Sequence, residues 1–255
     1  MTKWSALLLA GSRPAGDPLA RTMGVRHKAL IPVAGEPMIL RPLRALLESE
    51  KIDHIIVLTQ EPDDLRPVLP GDPRISIHPS RGTIAETIEE LIGKREVAFP
   101  ALITTADHAL LDSQMLAEFI EQATGADLAV GVVERQALLK RLPQTKRTWL
   151  AFRGGAYSGA NLFSLGSIKS LAAIEQWRSV EQDRKKGWRV LAALGPALLL
   201  GAGLRLRTLD QSIAAVGRRL GMVARAVVLS NPLAGVDVDK VEDHTLVEAI
   251  LQGRA

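Results

Sequence analysis

Three segments of this 255-residue chain combine residue types that can handle phosphate and metal. The first is Leu9-Ala10-Gly11-Ser12-Arg13-Pro14, with Lys28 further on in the run His27–Met38. A glycine turn lets backbone N–H groups approach phosphate oxygens, and arginine and lysine supply charge. A plain basic surface loop would share this composition. The segment is not GxGxxG and lacks the GK[ST] ending of a P-loop, so dinucleotide oxidoreductases and P-loop kinases fit poorly. The second segment is Ile103-Thr104-Thr105-Ala106-Asp107-His108. A carboxylate at the end of an apolar strand can hold Mg²⁺ with water and phosphate oxygens, or it can cap a helix. Asp112 reads as the cap of the next helix. The third is Gly235–Asp243, GVDVDKVED, where alternation sets Asp237 and Asp239 on one face of an extended stretch. Asp239 is read either as part of a site or as the start of the final helix. Asp243 is read as a helix-start residue.

Composition narrows the field. The absence of cysteine excludes a disulfide scaffold, a thiolate nucleophile and any cysteine-based metal centre. The five histidines form no HExxH pair. A net charge of +4 suits an anionic small molecule as well as nucleic acid, but aromatics are only 4% and none interleaves a basic run. A nucleic-acid partner is therefore not expected. The apolar N-terminal run reads as a buried strand and not a signal peptide. The uncharged stretch Val190–Leu204 falls short of the roughly 18–20 residues that span a bilayer. A cytoplasmic protein with no membrane span is expected.

The elements that must position these residues follow from periodicity. Ser5–Gly11, Asp53–Gln60, Ile75–Pro79, Ala98–Thr105 and Asp127–Glu134 read as strands, most of them continuous apolar runs. Pro37–Ser49, Gly82–Gly93 and Ser113–Ala123 read as helices, the second with Thr83 and Glu86 in capping-box positions. Gly11–His27 reads as a long loop. Strands alternating with helices predict an α/β fold: a three-layer, Rossmann-like, mostly parallel sheet with helices on both faces. Ligands in such sheets bind beyond the carboxyl ends of the strands. Trp149–Leu165 reads as a pair of short strands, Val223–Leu229 as a further strand, and Asp243–Gln252 as a last helix. One domain over 1–255 is expected, with a helical insertion at about 168–220.

The series L-A-G, a basic loop, then K-A-L-I-P-V-A-G-E-P-M resembles the nucleotidyltransferase family with a glycosyltransferase-A-like fold. That family includes molybdenum-cofactor guanylyltransferase and sugar-acid cytidylyltransferases. Its usual form is LAGG-x-x-x-R-M, then K-x-L-x-x-x-x-G-x-P-M/L. Here Ser12 replaces the second glycine and the loop is longer. The resemblance implies that Leu9, Ala10, Gly11, Ser12 and Arg13 hold the triphosphate and that Lys28 contacts phosphates. Arg13 is the chosen arginine, with Arg21 and Arg26 as alternatives. T-A-D-H matches the family's metal-binding aspartate at Asp107. The closing D-x-P-x-D matches from Asp239, with Val241 in place of proline, and implies a second metal ligand. Gly82 and Thr83 occupy the place of base and ribose contacts, although capping explains Thr83 equally. Gly159 and Asn161 fall in the acceptor-lining segment, or equally in an ordinary hairpin.

The implied function is a Mg²⁺-dependent nucleotidyltransferase. It would move an NMP group from an NTP, CTP or GTP foremost, to a phosphorylated small-molecule acceptor and release pyrophosphate. A homodimer is compatible with this. A glycosyltransferase using a nucleotide-sugar is the alternative, but it would usually show D-x-D where this chain has T-A-D-H. A non-catalytic nucleotide-binding regulatory protein is the other, and both candidate carboxylates speak against it. The series Val190–Leu200 in the insertion reads either as packed core or as a cover over an acceptor with a lipid portion.

Overall fold

The computed structural model describes residues 2–11, 16–80, 82–181 and 206–254. In chain order the elements are β1 (Trp4–Leu9), α1 (Pro18–Thr22), the two-residue strands β2 (Pro32–Val33) and β3 (Glu36–Pro37), α2 (Leu40–Glu48), β4 (Ile52–Thr59), α3 (Pro62–Leu65), β5 (Ile75–Pro79) and α4 (Ile84–Gly93). They continue as β6 (Ala101–Thr105), α5 (Ser113–Ala123), β7 (Leu128–Glu134), α6 (Arg135–Arg141), β8 (Leu150–Phe152), β9 (Gly155–Leu165), α7 (Leu171–Glu181), α8 (Leu209–Arg219), β10 (Ala224–Val228) and α9 (Val241–Leu251).

The main sheet runs β10-β7-β9-β6-β1-β4-β5, with β8 paired to β9. Its neighbours are parallel except around β9, which is antiparallel to β6, β7 and β8. The registers Leu9↔Leu58 and Leu9↔Thr105 bring the carboxyl ends of β1, β4 and β6 level at one edge. Alternate residues of β1 feed different cores. Ala6 and Leu8 join Leu43, Leu46, Leu116 and Phe119 from α2 and α5. Leu7 joins Ile88 and Leu91 of α4 and Ile174 of α7. A strand covered on both faces reads as a continuous apolar run, which is why SALLL carries no polar alternation. Each such leucine contributes roughly 1.5–3 kcal/mol on full burial.

Several expectations are corrected. Within the expected loop Gly11–His27, Pro18–Thr22 is helical, because Asp17 caps it by accepting from the Leu19 and Ala20 N–H groups. Pro37 does not open a helix but lies in β3, and α2 starts at Leu40. Ala34 and Gly35 both have positive φ, 51° and 82°. That makes a two-residue hairpin turn joining β2 to β3, in which Val33 faces Glu36. Arg135–Arg141 forms a helix with no counterpart in the sequence reading. The second of the two expected strands near Trp149–Leu165 is long: β9 spans 11 residues and inserts between β6 and β7. Of the expected insertion, α7 packs against α4 through Ile174 and Trp177. Val190–Leu200 lies outside the described residues. Among the described residues no helix is long and apolar enough to cross a membrane.

Candidate active site

Lys28 opens a 3-10 turn, Lys28–Leu30, capped by His27, whose Nδ1 accepts from the Ala29 N–H at 3.1 Å. An imidazole accepting at Nδ1 is neutral there, and burial lowers the His27 pKa against the opposing pull of Glu61 and Asp64. The hairpin beyond folds back, with Met38 N–H on Ile31 O and Ile39 N–H on Ala29 O. Helix α9 clamps it. Glu248 accepts from Ala34 N–H at 2.6 Å, and His244 Nε2 lies 2.7 Å from Pro32 O. The base of Lys28 is thereby fixed and its ammonium directed across the crevice.

That ammonium meets two carboxylates. Lys28 Nζ lies 2.5 Å from Asp107 Oδ2 and 2.7 Å from Asp239 Oδ1. Burial works against the lysine's charge, but the two aspartates outweigh it and hold its pKa above the ordinary value. Asp107 follows β6, where Ala106 N–H donates to Leu9 O, and its Oδ1 accepts from the Thr105 hydroxyl at 2.5 Å. The Asp107 carbonyl accepts from Val238 N–H, tying the third segment to the strand end. Asp239 is half exposed. Asp243 acts as expected at a helix start, its Oδ2 accepting from the Asp239 and Lys240 N–H groups. Asp112 likewise caps α5 through Met115 N–H.

Asp237 faces the same crevice but is engaged elsewhere. Its carboxylate is ion-paired with Arg147 and accepts from Asn161 Nδ2 at 3.1 Å, while Arg147 also donates to the Asp237 carbonyl. Burial raises the Asp237 pKa against Arg147, and the charges of Asp239 and Asp107 add to the rise. Arg147 is nine-tenths buried and also lies 3.6 Å from Asp243. Sequence reasoning missed it. A single arginine in PQTKRTW carries no spacing signal that would separate it from a solvated one.

Asn161 sits where the β7–β9 register shifts between Val130 and Val132, with φ at 49°. This is a bulge inside a strand and not a hairpin turn, and it aims the amide at Asp237. A side chain at Gly159 would meet open space.

The residues expected on the nucleotide side occupy the other half of the crevice edge. Leu9 ends β1 and Ala10 and Gly11 follow it, with Ala10 N–H on Leu58 O. Ser12 and Arg13 lie outside the described residues. Of the alternative arginines, Arg26 is largely exposed and 3.9 Å from Asp64. Gly82 and Thr83 open α4 beyond the end of β5. Thr83 and Glu86 cap the helix reciprocally, at 3.2 Å and 3.0 Å, so the Thr83 hydroxyl is already engaged. A Cβ at Gly82 would collide with the Glu86 carboxylate. The structure thus brings Lys28, Asp107 and Asp239 into contact, with Asn161 beside them through Asp237. Gly82 and Thr83 stand apart at the far end of the sheet.

Residues 6–199 match the family model of the MobA-like NTP transferase domain. No curated protein matches. Among solved structures, a hypothetical transferase from Thermus thermophilus is 30% identical, covers 95% of this chain and 100% of its own, and has a TM-score of 0.79. A 4-diphosphocytidyl-2C-methyl-D-erythritol synthase from Anaerococcus prevotii is 13% identical over 98% of this chain and 99% of its own, at TM-score 0.62. A CMP:2-keto-3-deoxy-manno-octonic acid synthetase complexed with CTP is 11% identical, covers 100% of both chains and has a TM-score of 0.63. The last two share the fold. A family match across residues 6–199 and a 30%-identical relative spanning 95% of the chain place this protein in the MobA-like NTP transferase family.

Proposed function

We propose that this protein transfers a nucleoside monophosphate from an NTP to a phosphorylated small-molecule acceptor, releasing pyrophosphate, with Mg²⁺ held by Asp107 and Asp239. The observation that carries the reading is the convergence of these two carboxylates on one cation, the Lys28 ammonium, at 2.5 Å and 2.7 Å. Mg²⁺ is usually bound by one or two carboxylates together with phosphates and water, so this donor set fits it. Asp237 is left out of the metal pair because Arg147 and Asn161 already engage it. When bound, the cation would neutralise charge on the triphosphate.

The chain's own residues would do the rest by positioning. Gly11 and the loop after it would cradle the triphosphate, with Arg13 and Lys28 countering its charge. Gly82 and Thr83 would meet the base and ribose through the backbone at the start of α4. Gly159 and Asn161 would line the acceptor side. An acceptor phosphate oxygen then forms a bond to the α-phosphorus as the bond to the β-phosphate oxygen breaks. The attacking oxygen is already anionic, so no general base is required. CTP is the first donor to test, since two proteins of the same fold are named for cytidyl compounds, with GTP next. The chain is read as one domain with an insertion at about 168–220.

The test is pyrophosphate release with each of the four NTPs, Mg²⁺ and a pool of phosphorylated metabolites. Turnover with at least one NTP is expected, and turnover of a nucleotide-sugar alone would overturn the reading. Asp107→Asn should lower kcat by about 10²–10³-fold, the scale of losing a charge-stabilising group. The variant should still fold, because asparagine keeps the side chain's size and an oxygen that can accept from Lys28.

A further inference from the structure

The position that suits a divalent cation is already filled by a side chain. Lys28 Nζ approaches one oxygen of each aspartate, and its side chain is only 14% exposed. One positive charge there lies between two negative ones. A metal ion coordinating the same pair of oxygens would overlap the ammonium and repel it. An evicted ammonium would leave both its partners while still part-buried, and burial of an unpaired charge is costly. The lysine stem, however, is flexible, so its head can be redrawn without moving the capped turn beneath it. A triphosphate arriving beside Gly11 would supply oxygens for that redrawn head.

We propose that Lys28 holds the divalent-cation position in the nucleotide-free protein, so that cation and lysine exclude each other until a triphosphate gives the ammonium a new partner. The proposal rests on Asp107 and Asp239 being the cation's carboxylates. Lys28 then has two roles at different times: it keeps the two carboxylates together without metal, and it turns to phosphate when the metal enters. Metal and nucleotide are thereby coupled, and each raises the other's affinity by the same factor. The cation enters with the nucleotide and does not wait in the site.

Mn²⁺ is the probe, its free aquo signal followed by electron paramagnetic resonance on the full chain. Without nucleotide, Lys28→Met should bind Mn²⁺ about tenfold or more tightly than wild type, within the usual span of site-to-site coupling. Lys28→Arg, which keeps a cation on the position, should bind it as weakly as wild type. Thermal unfolding gives an independent reading, since a ligand that binds only the folded state raises Tm. Mn²⁺ alone should raise the Tm of Lys28→Met and leave wild type unmoved. Should Lys28→Met fail to fold, Lys28→Gln repeats the comparison. Equal Mn²⁺ affinity in wild type and the neutral variant overturns the proposal, whether both bind or neither does. That failure is separate from failure of the proposed function. Wild type that binds Mn²⁺ freely and still releases pyrophosphate loses only the exclusion. If Asp107→Asn leaves Mn²⁺ binding in the presence of CTP unchanged, the carboxylate assignment itself falls.

Discussion

At the scale of single residues, the crevice is a problem of like charges. Asp107 and Asp239 both act on Asp237, and Lys28 and Arg147 contribute to the compensation. Lys28 takes Asp107 and Asp239, and Arg147 takes Asp237. Arg147→Met should therefore cost about 3 kcal/mol of stability, because it leaves a part-buried carboxylate without its partner. Adding Asp237→Asn should return much of that loss, and urea unfolding of the two single variants and the double one measures the coupling. His108 gives a second prediction. Burial pushes its pKa down to about 4 from the ordinary 6.5, against the pull of Asp107. Below pH 6.5 the unfolded chain takes up a proton that the folded chain refuses until about pH 4. Stability should thus fall as pH drops through that window, by on the order of 3 kcal/mol in total. His108→Gln should flatten this part of the unfolding-versus-pH profile. Lys28, Asp107 and Asp239 stood out in the sequence through the resemblance of their segments to a family's motifs, and the structure brings the three side chains into contact. Arg147 had no such marker, since its role depends on a loop whose path no local pattern specifies.

At the scale of elements, the segment carrying Asp237 and Asp239 is seated by close approach. The 3-10 turn Pro232–Gly235 packs on β7, and a Cβ at Gly235 would collide with the Val133 side chain, which is fully buried. Gly235→Ala should cost about 1–3 kcal/mol by overpacking. It should also raise the KM for NTP, because the displaced segment carries Asp239; thermal unfolding and steady-state kinetics report the two effects. The same scale shows where periodicity misleads. Pro37 looked like a helix start, but two residues of positive φ at Ala34 and Gly35 make a hairpin that consumes it. A hairpin turn was one of two equal readings of Asn161, yet the residue lies in a bulge within β9 that re-aims its side chain. A bulge depends on which strand lies opposite, and one strand's residues do not disclose that.

At the scale of the molecule, the strand order acts as a ruler. The crevice edge runs from β5 and β4 through β1 and β6 to β9 and β7. Gly82 and Thr83, proposed for the donor side, lie at one end, the Lys28–Asp107–Asp239 contact in the middle, and Gly159 and Asn161, proposed for the acceptor side, at the other. Substitutions at the two ends should therefore separate kinetically. Thr83→Val, which removes the cap that holds the backbone at the start of α4, should raise the KM for NTP and spare the acceptor. Asn161→Gly, which keeps the left-handed backbone, should raise the acceptor KM and spare the NTP. If both variants shift both constants equally, the ruler reading is wrong. The parallel part of this order was legible from apolar strands alternating with helices. The antiparallel entry of β9 was not, because the alternation stops after Glu134 and nothing local fixes a strand's direction.

The clamp of α9 on the Lys28 hairpin bears on how the protein is made. Lys28 and Asp239 meet across 211 residues of chain, and Ala34 and Glu248 across 214. At about 5–20 residues per second, a ribosome needs roughly 10–40 s between making the lysine and making its second carboxylate. During that interval the lysine has neither Asp239 nor the helix that seats its hairpin. A message cut short before Asp239 would yield a protein that keeps the strands of its sheet and lacks both the second carboxylate on Lys28 and the helix that seats its hairpin.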